Sequence, residues 1–229
     1  MRRWWCAIAA SLMPGYALAD DAAVENVGGT IRAMKEHSAI AMVAEYVHAR
    51  LGADSVRVEC VFYLTNTGPA TQVSVGFPEM AHGDVLGPSR FADFRSWVDG
   101  EEVQVTPIDG PADDPIFPQM TWWVKEMAFA AGATRVVRDR YVAPPGNVVD
   151  GSMLFEYILH TGASWAGSIG VADIVVDLDT GAEVVRVEPA PLHRSGNQLV
   201  WHLRDFEPDT ENRVVMIQWK RAAGVNAQR

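Results

Sequence analysis

The feature that most constrains the fold of this chain is an alternation of apolar and polar residues that recurs from Ser55 onward. Successive side chains of a β-strand point to opposite faces, so a period of two predicts a strand with one buried face. Every second residue from Val56 to Leu64 is apolar, for example. About ten such runs are separated by Gly, Pro, Asn and Asp, which is typical of a sandwich. We predict an all-β fold, an antiparallel β-sandwich of about ten strands, with a two-lobed form as an open alternative.

One segment admits two interpretations, a helix or a strand. Residues 30–51 are rich in Ala, Met, Glu and Lys, which favour helix. Gly52 and Asp54 then separate this segment from the strand that begins at Val56, and two neighbouring strands can form a long hairpin. We expect a strand from Ile40 to Leu51, with a helix as the alternative over 31–51.

The stretch from Pro107 to Pro118 is rich in proline and interrupts the alternation. It fits either a linker between two smaller sandwiches or a long crossover loop in one larger sandwich. All-β domains reach this length as single units, so we expect one extended domain over 20–229, with 107–118 as the alternative lobe boundary. Just before this stretch, Asp99-Gly100 predicts a two-residue hairpin turn, because both positions tolerate positive φ.

The first nineteen residues have the pattern of an export signal. Arg2 and Arg3 precede a short apolar run, and Ala17-Leu18-Ala19 matches the small-x-small cleavage motif. The apolar run is far shorter than the roughly 20 residues that a membrane-spanning helix needs. We expect cleavage after Ala19, a periplasmic or secreted protein, and no stable membrane insertion after cleavage.

Charge and cysteine content narrow the range of partners. The chain has a net charge of -10, and loss of residues 1–19 would make it more acidic, because two arginines and no acid are removed. This acidity disfavours nucleic acid, whose phosphates would be repelled, and anionic membrane surfaces.

Cleavage would also leave Cys60 as the lone cysteine, on the apolar face of its strand, where a thiol packs as a small hydrophobe. We therefore expect no intrachain disulfide.

Ser164 lies between two glycines, four residues after His160, and raises the question of a serine hydrolase. A nucleophile elbow has the pattern Gly-x-Ser-x-Gly on a strand-to-helix turn. Here the second glycine, Gly167, comes one residue too late, and an alternating segment follows where the helix should begin. We expect a structural loop in which Trp165 covers one end of the sandwich, with a serine hydrolase using Ser164 and His160 as a lesser alternative.

No other group of residues points to catalysis, a metal or a cofactor. The six histidines include no pair at the helical spacing of metal ligands. The patterns nearest to metal sites are His82-Gly83-Asp84 and the group Asp177, Asp179 and Gly181, and a solvated loop and a hairpin turn explain them more simply. A Walker loop, a dinucleotide fingerprint and a HExxH motif are missing from the sequence. The prediction is no catalytic residue, no metal ligand and no cofactor.

Trp122 and Trp123 are adjacent, so on a strand their rings must point to opposite faces. One ring can enter the core, while the other must be exposed, covered by a loop or used in a contact. Tryptophan mostly buries, yet an exposed ring beside acidic residues suits sugar binding. Trp122, Trp123 and Trp165 are therefore the candidate ligand-binding residues, with packing or loop cover as the alternative.

Several segments together resemble a bacterial exported family that is known only as a domain of unknown function. They are Val27–Thr30, Lys35–His37, Val56–Leu64 followed by Asn66-Thr67-Gly68, Val75–Pro78, and the most specific, Thr161-Gly162-x-x-Trp165-x-Gly167-x-Ile169-Gly170. The resemblance extends from about Val27 to Trp219. It implies a secreted β-rich domain and a strand in the Ile40 region, and it brings no catalytic residues.

Two functional hypotheses follow. The first is an exported, non-catalytic module that interacts with a protein or with the cell envelope through its sheet edges or an exposed face. The second is a carbohydrate or small-ligand binding module that uses the three tryptophans. The sequence does not identify the protein or glycan partner, nor does it set the oligomeric state.

Overall fold

The computed structural model describes residues 26–29, 32–33, 39–81, 91–111, 119–159, 163–207 and 214–221. These ranges contain no helix of a length and apolarity that would cross a membrane. They form seventeen β-strands. The strands are β1 Asn26–Gly29, β2 Arg32–Ala33, β3 Ile40–Leu51, β4 Val56–Asn66, β5 Thr71–Ala81, β6 Arg95–Val98, β7 Glu101–Val103, β8 Thr106–Pro111, β9 Gln119–Phe129, β10 Thr134–Ala143, β11 Gly146–Asn147, β12 Met153–Ile158, β13 Ile169–Leu178, β14 Ala182–Glu188, β15 His193–Ser195, β16 Gln198–Phe206 and β17 Val214–Arg221.

The strands form two sheets that pack on each other. Sheet A has the order β14-β17-β12-β1-β5-β9-β8, with β11 on β12 and β2 on β5. Sheet B has the order β15-β16-β13-β3-β4-β10-β6-β7. Most neighbours are antiparallel, whereas β1 with β12 and β13 with β3 are parallel. The predicted all-β sandwich is confirmed. The structure has more strands than the alternation indicated, because several are too short to show a period of two.

The alternation determines which residues fill the interior. Along β4, buried residues alternate with more exposed ones, and Val58, Cys60 and Phe62 all face the core. Residues of both sheets join in one contiguous apolar cluster that includes Ile174 of sheet B and Ile217 of sheet A. Full burial of an aliphatic or aromatic side chain contributes about 1.5–3 kcal/mol. This cluster is therefore the main force that holds the two sheets together.

The segment Ile40–Leu51 is a strand, as expected, and the helical alternative is wrong. A β-bulge between Met42 and Ala44 shifts the register of β3 against β4. Before the bulge Met42 faces the core, and after it Glu45 does, while Val43 is exposed. An extra residue in one strand inverts the parity of all positions that follow it. This inversion is why no single alternation extends through the segment.

The predicted hairpin turn at Asp99-Gly100 is confirmed. It joins β6 to β7, and its two residues have φ values of 52° and 88°. The Asp99 carboxylate also accepts a hydrogen bond from the Val136 amide at 2.8 Å. That contact attaches the turn to β10.

The first part of the proline-rich stretch is a strand. Residues Thr106–Pro111 form β8, which pairs with β9 at one edge of sheet A. Proline is tolerated at an edge because one row of amides there has no ladder partner. Residues 112–118 lie outside the described ranges. As far as Pro111, the stretch is therefore part of sheet A, together with β5 and β9.

The glycine- and tryptophan-containing motif has a structural role wherever it is described. Trp165 and Ile169 are buried in the core. Gly167 has a φ of 69°, which favours glycine. A Cβ on Gly170 would lie 2.6 Å from the carbonyl oxygen of Val43, so glycine is what lets β13 approach the bulge of β3. The motif thus fixes the start of β13 beside β3.

An ion pair crosses the interior. Lys125 on β9 and Asp139 on β10 are both buried, and the lysine Nζ donates to both carboxylate oxygens at 2.8 Å. Because β9 belongs to sheet A and β10 to sheet B, this pair links the two sheets. The alternation of β9 places Lys125 on the face of Met127 and Phe129, but only the structure identifies Asp139 as its partner.

We expect the Cys60 thiol to be unreactive in the folded protein. Burial raises the pKa of this thiol well above its usual value, and a hydrogen bond with Tyr157 opposes that rise only in part. The thiolate is the reactive form, and here it is both disfavoured and inaccessible. In a Cys6→Ser variant, DTNB should release no thionitrobenzoate from the native protein and one equivalent after unfolding in urea. Fast labelling of the native protein would contradict this placement.

Candidate functional site

The outer face of sheet B carries a groove of about 670 Å³, called here the sheet B groove. It extends over four adjacent strands, β16, β13, β3 and β4. The alternation that buries Ile174 and Val176 on β13 turns Asp173, Val175 and Asp177 outward into it. The outward residues that line it are Tyr46, His48, Glu59, Val61, Asp173, Val175, Asp177, Gln198, Val200 and His202.

Two histidine–aspartate pairs lie in this groove. His48 Nε2 is 2.7 Å from Asp177 Oδ2, and His202 Nδ1 contacts Asp173 Oδ1. Each pair joins two neighbouring strands, since His202 lies directly opposite Asp173 and His48 lies opposite Val175 on the parallel strand β13. A neutral imidazole that donates one proton to a carboxylate keeps its other nitrogen as an acceptor. In that tautomer, His48 Nδ1 and His202 Nε2 are the nitrogens that could accept a hydrogen bond from a ligand.

Apolar side chains separate the two pairs. Val175 and Val200 are paired at the centre of the groove, whereas Val61 lies opposite Tyr46 on the β4 side. Tyr46 lies at one side, 44% exposed, and its ring meets that of Tyr63 edge to face at a centroid distance of 5.9 Å. An aromatic ring held in this way presents a surface to which cations are attracted. The groove therefore offers an apolar centre with polar acceptors at its two ends.

The groove is anionic. Hydrogen bonds from His48 and then from Gln198 lower the pKa of Asp177, the second at 2.9 Å. This carboxylate is therefore ionised at neutral pH and remains so into the acidic range. Asp173 and Glu59 line the same groove. The lining thus has three carboxylates and no lysine or arginine.

The side chains that line the groove determine which interactions it can make. The residues that line the groove include no serine, threonine or cysteine that a histidine–aspartate pair could activate. Within the described ranges no group of three or more His, Cys, Asp or Glu residues could hold a metal ion. The available chemistry is hydrogen-bond acceptance, negative charge and apolar contact.

The three tryptophans selected from the sequence do not line this groove. Trp122 is 0% and Trp165 is 4% exposed, which agrees with the alternative of packing or loop cover for both. Trp122 lies on the outer side of sheet A, where a Cβ on Gly110 would be 3.1 Å from its ring. Trp123 points inward, stacks on Phe94 at 4.9 Å and donates its Nε1 proton to Glu79 at 2.7 Å. The three tryptophan side chains fit the alternative of packing or loop cover.

Ser164, Asp179 and Gly181 are not among the residues that line the groove, whereas Asp177 is. Ser164 lies in a short turn at residues 163–164, while His160 and His82-Gly83-Asp84 fall outside the described residues. Asp179 and Gly181 do form a turn, in which Ala182 N donates to Asp179 O at 3.0 Å. That turn joins β13 in sheet B to β14 in sheet A, so it is a crossing between sheets and not the expected hairpin.

Sequence reasoning missed the groove because its strands are distant in the chain. The alternation from Ala172 to Leu178 places Asp173 and Asp177 on one face of a strand, and the apolar Val175 between them was an available signal. His48 and His202, however, reach these aspartates only through the parallel pairing of β3 with β13 and the antiparallel pairing of β16 with β13. Residues 48 and 177 are 129 positions apart.

Comparison with known proteins identifies the fold. No protein-family model and no curated protein matches the sequence. A crystal structure from Legionella pneumophila, described as a "putative nutrient binding protein", aligns with 87% of this chain and 72% of its own at 20% identity and a TM-score of 0.75. An M1 zinc metallopeptidase from Deinococcus radiodurans aligns with 80% of this chain and 43% of its own at 10% identity and a TM-score of 0.42. The first likeness shows a shared fold, and the second carries no argument.

Proposed function

We propose that this protein is an exported, non-catalytic binding module, and that the sheet B groove takes a small organic cation. The observation that carries the proposal is the pair of carboxylates, Asp173 and Asp177, that histidines hold in place on an open sheet face. Fixed acceptors of this kind bind a charged donor without first having to become ordered.

The chemistry of the lining favours an organic amine over an inorganic cation. An ammonium group can donate to a carboxylate and to the free imidazole nitrogen beside it. Asp173 and Asp177 are four residues apart on one strand, which is about 13 Å. Between them the valines would contact the methylene groups of a ligand, and Tyr46 would contact a cationic end. A flexible molecule with amines at both ends fits this spacing.

Two further observations support an exported binding protein. The name of the Legionella pneumophila protein describes a binding function, and its likeness here is one of fold. The first nineteen residues have the pattern of an export signal, which would place the groove outside the cytoplasm. A binding module in that compartment would meet small solutes directly.

Removing the two carboxylate charges is the test of this proposal. Cadaverine and spermidine should bind the purified protein in isothermal titration calorimetry at low salt. A variant with Asp173→Asn and Asp177→Asn should bind them at least tenfold more weakly, which corresponds to about 1.4 kcal/mol or more. Asparagine has nearly the same shape, so the change isolates the charge.

The matched control is Asp54→Asn, which alters the charge at a 94% exposed aspartate outside the groove. It should leave the affinity for both amines within twofold of the unaltered protein. The proposal fails if neither amine binds the unaltered protein, or if the control weakens binding as much as the groove variant does.

A further inference from the structure

A second depression adjoins the sheet B groove and has the opposite charge. It has a volume of about 360 Å³, and its lining includes Arg50, Arg57 and Arg140. His48 and Glu59 line both sites, so the two are continuous across β3 and β4. We call it the arginine pocket.

Two of these arginines lie opposite each other, and Arg50 also lies opposite Asp177 on β13, whose pKa its charge helps to lower. Arg50 and Arg57 are directly opposite each other across the antiparallel pair of β3 and β4. Like charges at opposed positions destabilise a sheet. Neither side chain forms an ion pair within 4 Å with any carboxylate of the described residues, although the chain has ten more acids than bases. A bound anion would relieve the repulsion.

The third arginine, Arg140, contacts two residues that lie outside the pocket. The Arg140 guanidinium lies 3.5 Å from the Asp93 carboxylate and 5.7 Å from the centre of the Trp97 ring. Trp97 also contacts Arg138, at 4.2 Å. A stacked and ion-paired guanidinium loses less side-chain freedom when it binds an anion. The pocket therefore contains one positioned guanidinium and two whose donors are available.

We propose that the ligand is a cationic α-amino acid, whose carboxylate binds the arginine pocket while its amines occupy the sheet B groove. This proposal rests on the proposed function and names the class of ligand. Arg50 lies directly opposite Asp177 on the neighbouring strand, so a cationic side chain is adjacent to an anionic one. In an α-amino acid, a carboxylate and an ammonium group are likewise adjacent, and each would face the side chain of opposite charge. A lysine-like side chain would then extend along the valines toward Asp173.

The test compares ligands that differ only in the carboxylate. L-lysine and cadaverine have the same chain of carbons between their amines, and cadaverine lacks the carboxylate. The unaltered protein should bind L-lysine at least tenfold more tightly than cadaverine. Lysine methyl ester, in which the carboxylate charge is lost, should bind like cadaverine. These measurements need no variant.

The variant with Arg50→Gln and Arg57→Gln should lose the preference for L-lysine and keep its affinity for cadaverine. The matched control is Arg186→Gln, which removes a charge at an arginine of sheet A that pairs with Glu188. Equal binding of the two ligands to the unaltered protein, or a preference that survives the arginine changes, would overturn the inference and leave the proposed function intact. If neither ligand binds, both fail.

Discussion

Replacing Lys125 with methionine is expected to lower the free energy of unfolding by about 3–5 kcal/mol, because Asp139 would remain buried as an unpaired charge. The two side chains are 1% and 0% exposed, so water cannot replace the lost partner. Urea denaturation followed by tryptophan fluorescence should show the midpoint fall with little change in slope.

A double replacement makes this prediction specific to the ion pair. Asp139→Leu alone should destabilise by a similar amount, whereas Lys125→Met with Asp139→Leu should cost much less than the sum of the single changes, because no charge is left without a partner. Lys220→Met is the matched control, since that lysine lies 3.6 Å from Glu183 on the surface and should contribute about 1 kcal/mol at most. Additive single changes would mean that the pair does not link the sheets.

Asn66→Ala should be the other large loss of stability, about 2–4 kcal/mol, because several hydrogen bonds of one buried side chain disappear together. The Asn66 Nδ2 group donates to Pro69 O at 2.8 Å and to Ala130 O at 3.1 Å, and its Oδ1 accepts from Gly68 N at 3.0 Å. These bonds connect the turn from β4 to β5 with the turn from β9 to β10. Both turns pass from one sheet to the other, so one residue fixes two crossings at the same end of the sandwich.

Two further variants define the role of Asn66. Asn66→Asp keeps the acceptor for Gly68 and loses both donated bonds, so it should destabilise nearly as much as alanine does. Asn197→Ala is the control, because that exposed asparagine donates one bond, to Asp179 O at 3.2 Å, and should cost less than about 1 kcal/mol. A stable Asn66→Asp protein would show that the two donated bonds are dispensable.

The fold class was predictable because the alternation repeats in most of the long strands and each repetition gives the same answer. The hairpin at Asp99-Gly100 was predictable for a local reason, namely that few residue pairs accept positive φ twice. The bulge in β3 was not, since one additional residue shifts the parity and leaves a segment whose composition favours helix. The pairing of Lys125 with Asp139 was also beyond prediction, because the two residues lie on strands of opposite sheets.

The candidate site was also predictable from the sequence only in part. The alternation along β13 puts Asp173 and Asp177 on the same face of the strand, but it gives no indication of the histidines beside them. The sequence drew attention to tryptophans instead, and these residues prove to be packing elements. A tryptophan is conspicuous in a sequence because of its size, and the same size is the reason that it is mostly buried.

What the sequence by itself determined is which side chains face inward, and with that the two-sheet architecture, because the period of a strand is a local property of consecutive residues. Only the tertiary structure decided which strands are neighbours. The pairing of β13 with β3 and β16 brings two histidines to two aspartates, and the pairing of β3 with β4 brings Arg50 to Arg57. Strand order depends on the packing of the whole core and on loop connections, and no short stretch of sequence encodes it.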